Sequence, residues 1–212
     1  CYRDEDARGD RQPEFTQIDI EMSFTNRDEV LETTEGLMNY IFKNTIDYKL
    51  PEHFERIAYD DAVDWYGTDK PDLRFGLKMQ DGAFLADISD FAAFKTALEA
   101  KNSMGRRTGS IRALVVPGAA EKYSRKMIEE LEETAKVYKA KGLAWMKVAS
   151  DGKLEGGISK FFAGKDAGVC GTLGAKSGDL ILVVADPKRK VACWSLGAVR
   201  SKLGKDLQLA NP

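Results

Sequence analysis

The residues best suited to chemistry lie at the start of the chain, in Tyr2-Arg3-Asp4-Glu5-Asp6-Ala7-Arg8-Gly9-Asp10-Arg11-Gln12-Pro13-Glu14-Phe15-Thr16-Gln17-Ile18-Asp19. An arginine fixed on a strand presents a planar fork of donors that suits two oxygens of one phosphate. Glu5, two residues on, shares the face of Arg3 in an extended segment and can accept a hydrogen bond from an exocyclic amine. Phe15 brings a ring on the facing segment, and base–aromatic stacking contributes about 1–3 kcal/mol per base. Arg3, Glu5 and Phe15 together would cradle an adenosine phosphate. The same residues also suit a surface hairpin of solvated charge pairs, each contributing little. Spacing alone leaves both readings open.

The elements that must position these groups follow from periodicity. Residues 14–24 alternate strictly, with Thr16, Ile18, Ile20 and Met22 on one face and Phe15, Gln17, Asp19 and Glu21 on the other. Residues 1–5 alternate as well, and the polar stretch Asp6 to Pro13 reads as the loop of an antiparallel hairpin. Asn26 with Glu29 three residues on forms a capping-box signature. The helix it opens carries Val30, Leu37, Met38, Ile41 and Phe42 on one face. A short helix around Asp60–Tyr66 stops at Gly67, before the breaker Asp69-Lys70-Pro71-Asp72. Beyond it, strands are expected at Ile111–Val116, Leu143–Ala149 and Leu180–Ala185, the last apolar enough for a central position. A helix capped by Ser124 places Ile128, Leu131, Ala135 and Tyr138 on one face and closes by Gly142. A final helix spans Lys190–Leu203 and ends at Gly204. The class is α+β.

Composition narrows the possibilities. The 212 residues carry 32 Lys+Arg and 34 Asp+Glu, a net charge of −2. That balance hides a division: residues 1–72 hold 8 basic and 19 acidic side chains (net −11), and residues 73–212 hold 24 and 15 (net +9). A change of sign this large suggests two units with different tasks. No run approaches the roughly 18 apolar residues of a membrane helix, and the acidic opening segment is unlike a signal peptide. Three widely spaced cysteines, Cys1, Cys170 and Cys193, fit unpaired thiols in a reducing, cytoplasmic setting. The single histidine, His53, argues against a histidine-built metal site and reads as a surface or capping residue. Gly174-Ala175-Lys176-Ser177 lacks the consecutive Gly-Lys-Ser/Thr of a phosphate loop and reads as a turn. The mixed charges from Lys122 to Lys141 read as a solvated helix face, and Lys188-Arg189-Lys190 as a better place for a phosphate contact. Trp145 and Trp194 are expected in the core rather than as stacking platforms.

The opening segment closely resembles motif 2 of the class II aminoacyl-tRNA synthetases, in the wording of the bacterial aspartyl group. That wording is Arg-Asp-Glu-Asp, a short loop, then Arg-Gln-Pro-Glu-Phe-Thr-Gln-Ile-Asp. Tyr66-Gly67-Thr68-Asp69-Lys70-Pro71-Asp72-Leu73-Arg74 is similar to a second segment of that family. Arg112–Gly118, Lys141–Trp145 and Leu203–Leu207 resemble the GAD domain inserted in the bacterial enzymes. The resemblance spans essentially the whole chain. Ala7 and Gly9 depart from the usual Leu and Ala, small changes that touch the rigidity of the loop.

The resemblance implies a partial class II antiparallel catalytic sheet over residues 1–73, a GAD-type α+β insertion over 74–206, and a return toward the catalytic core over 207–212. It implies that Arg3 is catalytic, gripping the ATP α-phosphate and the aspartate carboxylate. Asp4, Glu5, Gln12 and Phe15 would complete the ATP site, Glu5 on the adenine amino group and Phe15 stacked on the ring. Asp19 would help orient L-aspartate. Asp6, Arg8 and Arg11 would meet the tRNA acceptor end. ATP enters as a substrate, and the ligands of Mg2+ are expected outside this chain, which holds no metal site of its own. The partners would be L-aspartate, ATP and tRNA(Asp), with tRNA(Asn) left open as a second acceptor. The parent would be a cytoplasmic homodimer without a membrane segment. The chain has no counterpart of motifs 1 and 3 or of an anticodon-reading domain, so it reads as an internal piece, inactive alone. With much of the parental sheet missing, Ile18, Ile20 and the apolar face of the first helix are expected to be partly exposed. A non-catalytic tRNA-binding module, as in tRNA-dependent amidotransferases, is the rival reading. Against it, a tRNA binder has no need of Arg3, Glu5 and Phe15 arranged for ATP.

Overall fold

The computed structural model describes residues 1–4 and 11–210. The chain divides into two compact units, Cys1–Arg56 and Ile57–Pro212. In the first, α1 (Arg27–Ile46) starts where its capping box dictates. Asn26 Oδ1 accepts from the N–H groups of Asp28 (2.9 Å) and Glu29 (3.2 Å), and Glu29 accepts in return from the Asn26 N–H at 3.3 Å. Acidic Asp28 and Glu29 complement the positive end of the helix dipole. Before α1, the expected strand over 14–24 is realised only as far as a bridge between Tyr2 and Glu14. Ile18, Ile20 and Met22 are 68%, 50% and 40% exposed. A strand needs a partner for its backbone and a cover for its apolar face. Among the described residues of this unit Ile18, Ile20 and Met22 have no such cover, so the alternation persists in sequence without a ladder.

The second unit is built around a five-stranded antiparallel sheet of order β1-β2-β5-β3-β4. Its strands are β1 (Gln80–Asp81), β2 (Ser110–Val116), β3 (Ala144–Val148), β4 (Leu154–Glu155) and β5 (Leu180–Asp186). β5 pairs along its whole length with β2, from Ser110 opposite Asp186 to Val116 opposite Leu180, and with β3 on its other edge. Its unbroken apolar run is explained by cover on both faces. Leu180, Leu182 and Val184 pack toward α5 (Arg125–Val137) and α7 (Arg189–Asp206), with Leu114, Val116, Ile128, Leu131 and Leu196. Ile181 and Val183 point the other way, toward α3 (Phe84–Asp87), α4 (Ala92–Glu99), a 3-10 turn at Ser159–Phe162 and α6 (Asp166–Leu173). Helix, sheet, helix: three layers with two cores. No helix among the described residues is long and apolar enough to cross a membrane.

Two helix ends differ from expectation. α5 stops at Val137, well before Gly142, and Lys139 turns the chain with φ 74°. α7 runs through Gly204 to Asp206, because that glycine serves packing rather than termination. A Cβ there would lie 2.4 Å from the Phe75 ring. The GAKS stretch is a turn, as read: Gly174 closes α6 in the left-handed region and the Lys176 N–H donates to Asp179 at 2.8 Å.

The structural boundary falls at Arg56/Ile57, whereas the sequence division lies at residue 73. Residues 57–74 are held to the second unit by polar contacts that composition does not reveal. α2 (Tyr59–Tyr66) carries Asp64, which pairs with Arg112 of β2 and with Arg189 at the start of α7 (2.8 Å), while Asp60 takes another Arg189 nitrogen at 3.1 Å. At the crossing of α2 and α7, Gly67 and Gly197 bring backbones together, and a Cβ on Gly197 would lie 2.6 Å from Gly67 Cα. Arg200 is wholly buried and donates to the carbonyl oxygens of Leu77 (2.9 Å), Asp72 (2.9 Å), Phe75 (3.1 Å) and Gly76 (2.8 Å), between the rings of Tyr66 and Phe75. One guanidinium thus fixes the course of the segment after α2.

Candidate active-site hairpin

The opening hairpin is set by backbone pairing around Tyr2 and Glu14. The N–H of Phe15 donates to Cys1 O (3.0 Å), that of Cys1 returns to Phe15 O (2.9 Å), and that of Arg3 donates to Pro13 O (2.9 Å). Proline has no N–H, and at position 13 the pairing asks only for its carbonyl. This register puts Cys1 opposite Phe15 and Arg3 opposite Pro13, so Arg3 and Phe15 are diagonal neighbours on one face. Their side chains meet: the Arg3 guanidinium carbon lies 5.4 Å from the Phe15 ring centroid. Tyr2 and Glu14 face the other way, joined by the Tyr2 hydroxyl donating to Glu14 Oε1 at 3.3 Å. A guanidinium and an aromatic ring therefore share a face, both reachable from solvent because Arg3 is exposed and Phe15 half-buried.

Among the other expected site residues, Asp4, Arg11, Gln12 and Asp19 are exposed. Asp19 accepts from Gln17 Nε2 at 2.7 Å, which places both side chains on one side as the alternation demands. Glu5, Asp6 and Arg8 lie outside the described residues. Among the described residues no three His, Cys, Asp or Glu side chains gather as a metal site. Glu35 of α1 is buried and accepts from His53 Nδ1 (3.1 Å) and the Phe54 N–H (3.1 Å). These bonds, the one from His53 foremost, hold its carboxyl below the usual range. His53 thus anchors the chain after α1.

Three features escaped the sequence reading. Arg189 read as one of three phosphate-seeking cations, yet it pairs with Asp64, which the sequence reading had not singled out, leaving only Lys188 and Lys190 of that triplet outward. Arg200 sits on the apolar stripe with Leu196 and Leu203, the one signal that could have marked it as inward-facing. Trp194, expected in the core, is 36% exposed, with Lys190 Nζ 4.1 Å from its ring centroid. Trp145 is half-buried against the core, where Gly156 and Gly157 leave room for its ring.

A family model described as tRNA synthetases class II (D, K and N) matches residues 1–194. The aspartate–tRNA(Asp/Asn) ligase of Treponema denticola is 67% identical over 213 residues, covering the whole chain and 35% of the relative. The enzyme of the same name from Treponema pallidum subsp. pallidum is 50% identical over 206 residues, covering 97% of the chain and 33% of the relative. That of a Geobacillus species is 50% identical over 214 residues, covering the whole chain and 34% of the relative. The chain therefore spans about a third of the length of the curated relatives it matches. With a family model matched over most of its length and a hairpin in motif 2 wording, the chain belongs to the class II tRNA synthetases.

Proposed function

We propose that this chain is the motif 2 and insertion segment of an aspartate–tRNA ligase that acts on tRNA(Asp) and tRNA(Asn), the pair in its relatives' name. In that reaction an aspartate carboxylate oxygen attacks the ATP α-phosphorus, pyrophosphate leaves, and aspartyl-adenylate forms. A 3′-terminal tRNA hydroxyl then attacks the aspartyl carbonyl and AMP departs. The observation that carries the reading is the hairpin register, which sets Arg3 and Phe15 on one face as diagonal neighbours. A purine stacking on Phe15 takes the place of the guanidinium, and Arg3 turns to the α-phosphate beside it. An exposed guanidinium–ring contact is worth about 0.5–1 kcal/mol, less than the stacking that replaces it. As charge builds on the phosphoryl oxygens, a fixed fork of donors is worth more in the transition state than in the ground state.

Asp4, Glu5 and Gln12 fall to the nucleotide in this reading, Asp19 to aspartate, and Asp6, Arg8 and Arg11 to the tRNA acceptor end. Mg2+, which neutralises phosphate charge when bound, has no ligand set among the described residues. The parent is read as a cytoplasmic homodimer whose other segments complete the site, and the isolated 212 residues as inactive.

Aspartate-dependent ATP–pyrophosphate exchange tests this on the parent protein. Arg3→Ala should lower kcat by roughly 10²–10³, the scale for removing one transition-state donor. Phe15→Ala should chiefly raise KM for ATP. Exchange unaffected by Arg3→Ala, or aspartate-dependent exchange by this chain alone, would falsify the assignment. Tight tRNA binding with no exchange at all would favour a tRNA-binding module.

A further inference from the structure

α7 presents to solvent a stripe that the sheet does not use: Lys190, Trp194, Ala198, Ser201 and Lys205, one to each successive turn. The small residues between Trp194 and Lys205 form the floor of a groove of about 870 Å³, whose opposite wall is the Thr68–Phe75 segment held down by Arg200. From Lys190 to Lys205 the stripe runs roughly 22 Å at the helical rise, long enough for a few nucleotides. The charges are unevenly committed. Arg74 is paired with Asp72 (2.7 Å) and Lys202 with Asp206 (3.1 Å), while Lys70, Lys190 and Lys205 are exposed and make no ion pair with the described residues. Asp69 is the exposed carboxylate of the wall without an ion pair among them.

An exposed indole at the end of a groove, with ammonium groups free of ion pairs in the groove (Lys70, Lys205) and one helical turn beyond it (Lys190), is the arrangement that binds single-stranded nucleic acid, bases on the ring and phosphates on the cations. A rigid duplex keeps its bases stacked on one another and cannot use the ring. We propose that this groove and the turn of α7 before it hold an unpaired segment of RNA, with a base stacked on Trp194 and phosphates against Lys70 and Lys205 within the groove and Lys190 beyond it. Lys190 now rests over the ring. An incoming base displaces it and frees its charge for the adjoining phosphate. The proposal rests on the reading that the parent handles tRNA, whose loops and 3′ end supply unpaired bases.

The test titrates the whole 212-residue chain with a tRNA(Asp) transcript and, separately, with a short RNA duplex, following tryptophan fluorescence and electrophoretic mobility. Trp194→Ala should weaken tRNA binding about tenfold, the scale of one stacked base. Trp194→Phe should keep most of the affinity. Lys190→Gln with Lys205→Gln should flatten the slope of log affinity against log salt by roughly 0.7 per lysine. Wild-type affinity in Trp194→Ala overturns the proposal, as does a duplex bound as tightly as tRNA, or no binding of either. Pyrophosphate exchange needs no tRNA, so the parent carrying Trp194→Ala should exchange normally. A wild-type parent without exchange refutes the ligase reading and leaves the binding comparison to be judged by itself.

Discussion

Arg200 shows how one side chain can decide the path of a loop. Its four carbonyl acceptors belong to Asp72, Phe75, Gly76 and Leu77, so it does for this segment what a strand partner does elsewhere. Lysine could not replace it, since a compact ammonium lacks both the fork and the flat faces that lie on Tyr66 and Phe75. The same segment carries the ion pair of Asp72 with Arg74, whose hydrogen bonds hold the Asp72 carboxyl at about 2. A lowered carboxylate contributes above its ordinary value, and the contribution is lost as pH falls through the lowered one. The pair should therefore survive mild acid and dissolve only as the pH approaches about 2. Carboxyl-carbon NMR should show that midpoint, and Arg74→Gln should return it toward the ordinary aspartate range. An ordinary midpoint in the wild type would remove the ion pair from the account. In sequence, the hairpin that brings Arg3 and Phe15 together was legible because motif wording and alternation agreed. Arg200 and Asp64 were not, because charged residues read as solvated until tertiary pairing is known.

At the scale of elements, start signals were easier to read than stop signals. The capping box at Asn26 and the cap at Ser124 are local hydrogen bonds, written in three or four consecutive residues. Gly204 was misread as a stop because a glycine needed for close packing looks the same in sequence as one needed for a turn, and Gly142 because the chain has already left the helix at Val137 and turned at Lys139. Gly197 is the informative case. Helix propensity alone says that Gly197→Ala should stabilise α7 by about 1 kcal/mol. Its added methyl would lie 2.6 Å from both Gly67 Cα and Tyr66 O, backbone atoms with no room to yield. The substitution should therefore destabilise by about 1–3 kcal/mol, read as a lower urea midpoint with an unchanged m-value. An alanine variant as stable as wild type would mean that α2 does not press on α7.

For the molecule as a whole, the net charge of −2 says little, whereas its division is informative. Much of the basic excess is internally spent: Arg112 and Arg189 on Asp64, Arg200 on carbonyls, Lys136 on Glu132 and Glu133. What remains outward is spread over the second unit and includes Lys190 and Lys205 of α7. The two units also differ in how much they bury. The second holds both apolar cores, while Glu35 is the buried residue of α1. Hydrogen exchange should show the amides of β5 and β2 exchanging only by global opening, and those of α1 faster by orders of magnitude. Equal protection would mean that the first unit is as cooperative as the second. The α+β class was legible because β5 is apolar from Leu180 to Ala185 and β2 is apolar apart from Ser110 and Arg112. The exposure of Ile18 and Ile20 followed from reading much of the parental sheet as missing, whereas the point at which pairing stops, just after Phe15, was not legible, since alternation records a face to be covered without saying what covers it.

The strand order has a consequence for synthesis. β5, the central strand, is the last of the five to be made, and β2 and β3 pair with it rather than with each other. On a ribosome adding about 5–20 residues per second, β2 must wait roughly 3–13 s for its partner. During that interval it offers an apolar edge with nothing native to join. Helices made in the meantime are the available shield: α5 carries Ile128 and Leu131 to the face of Leu114 and Val116. Nascent-chain order in this molecule thus favours a helix that arrives early over a strand that arrives late.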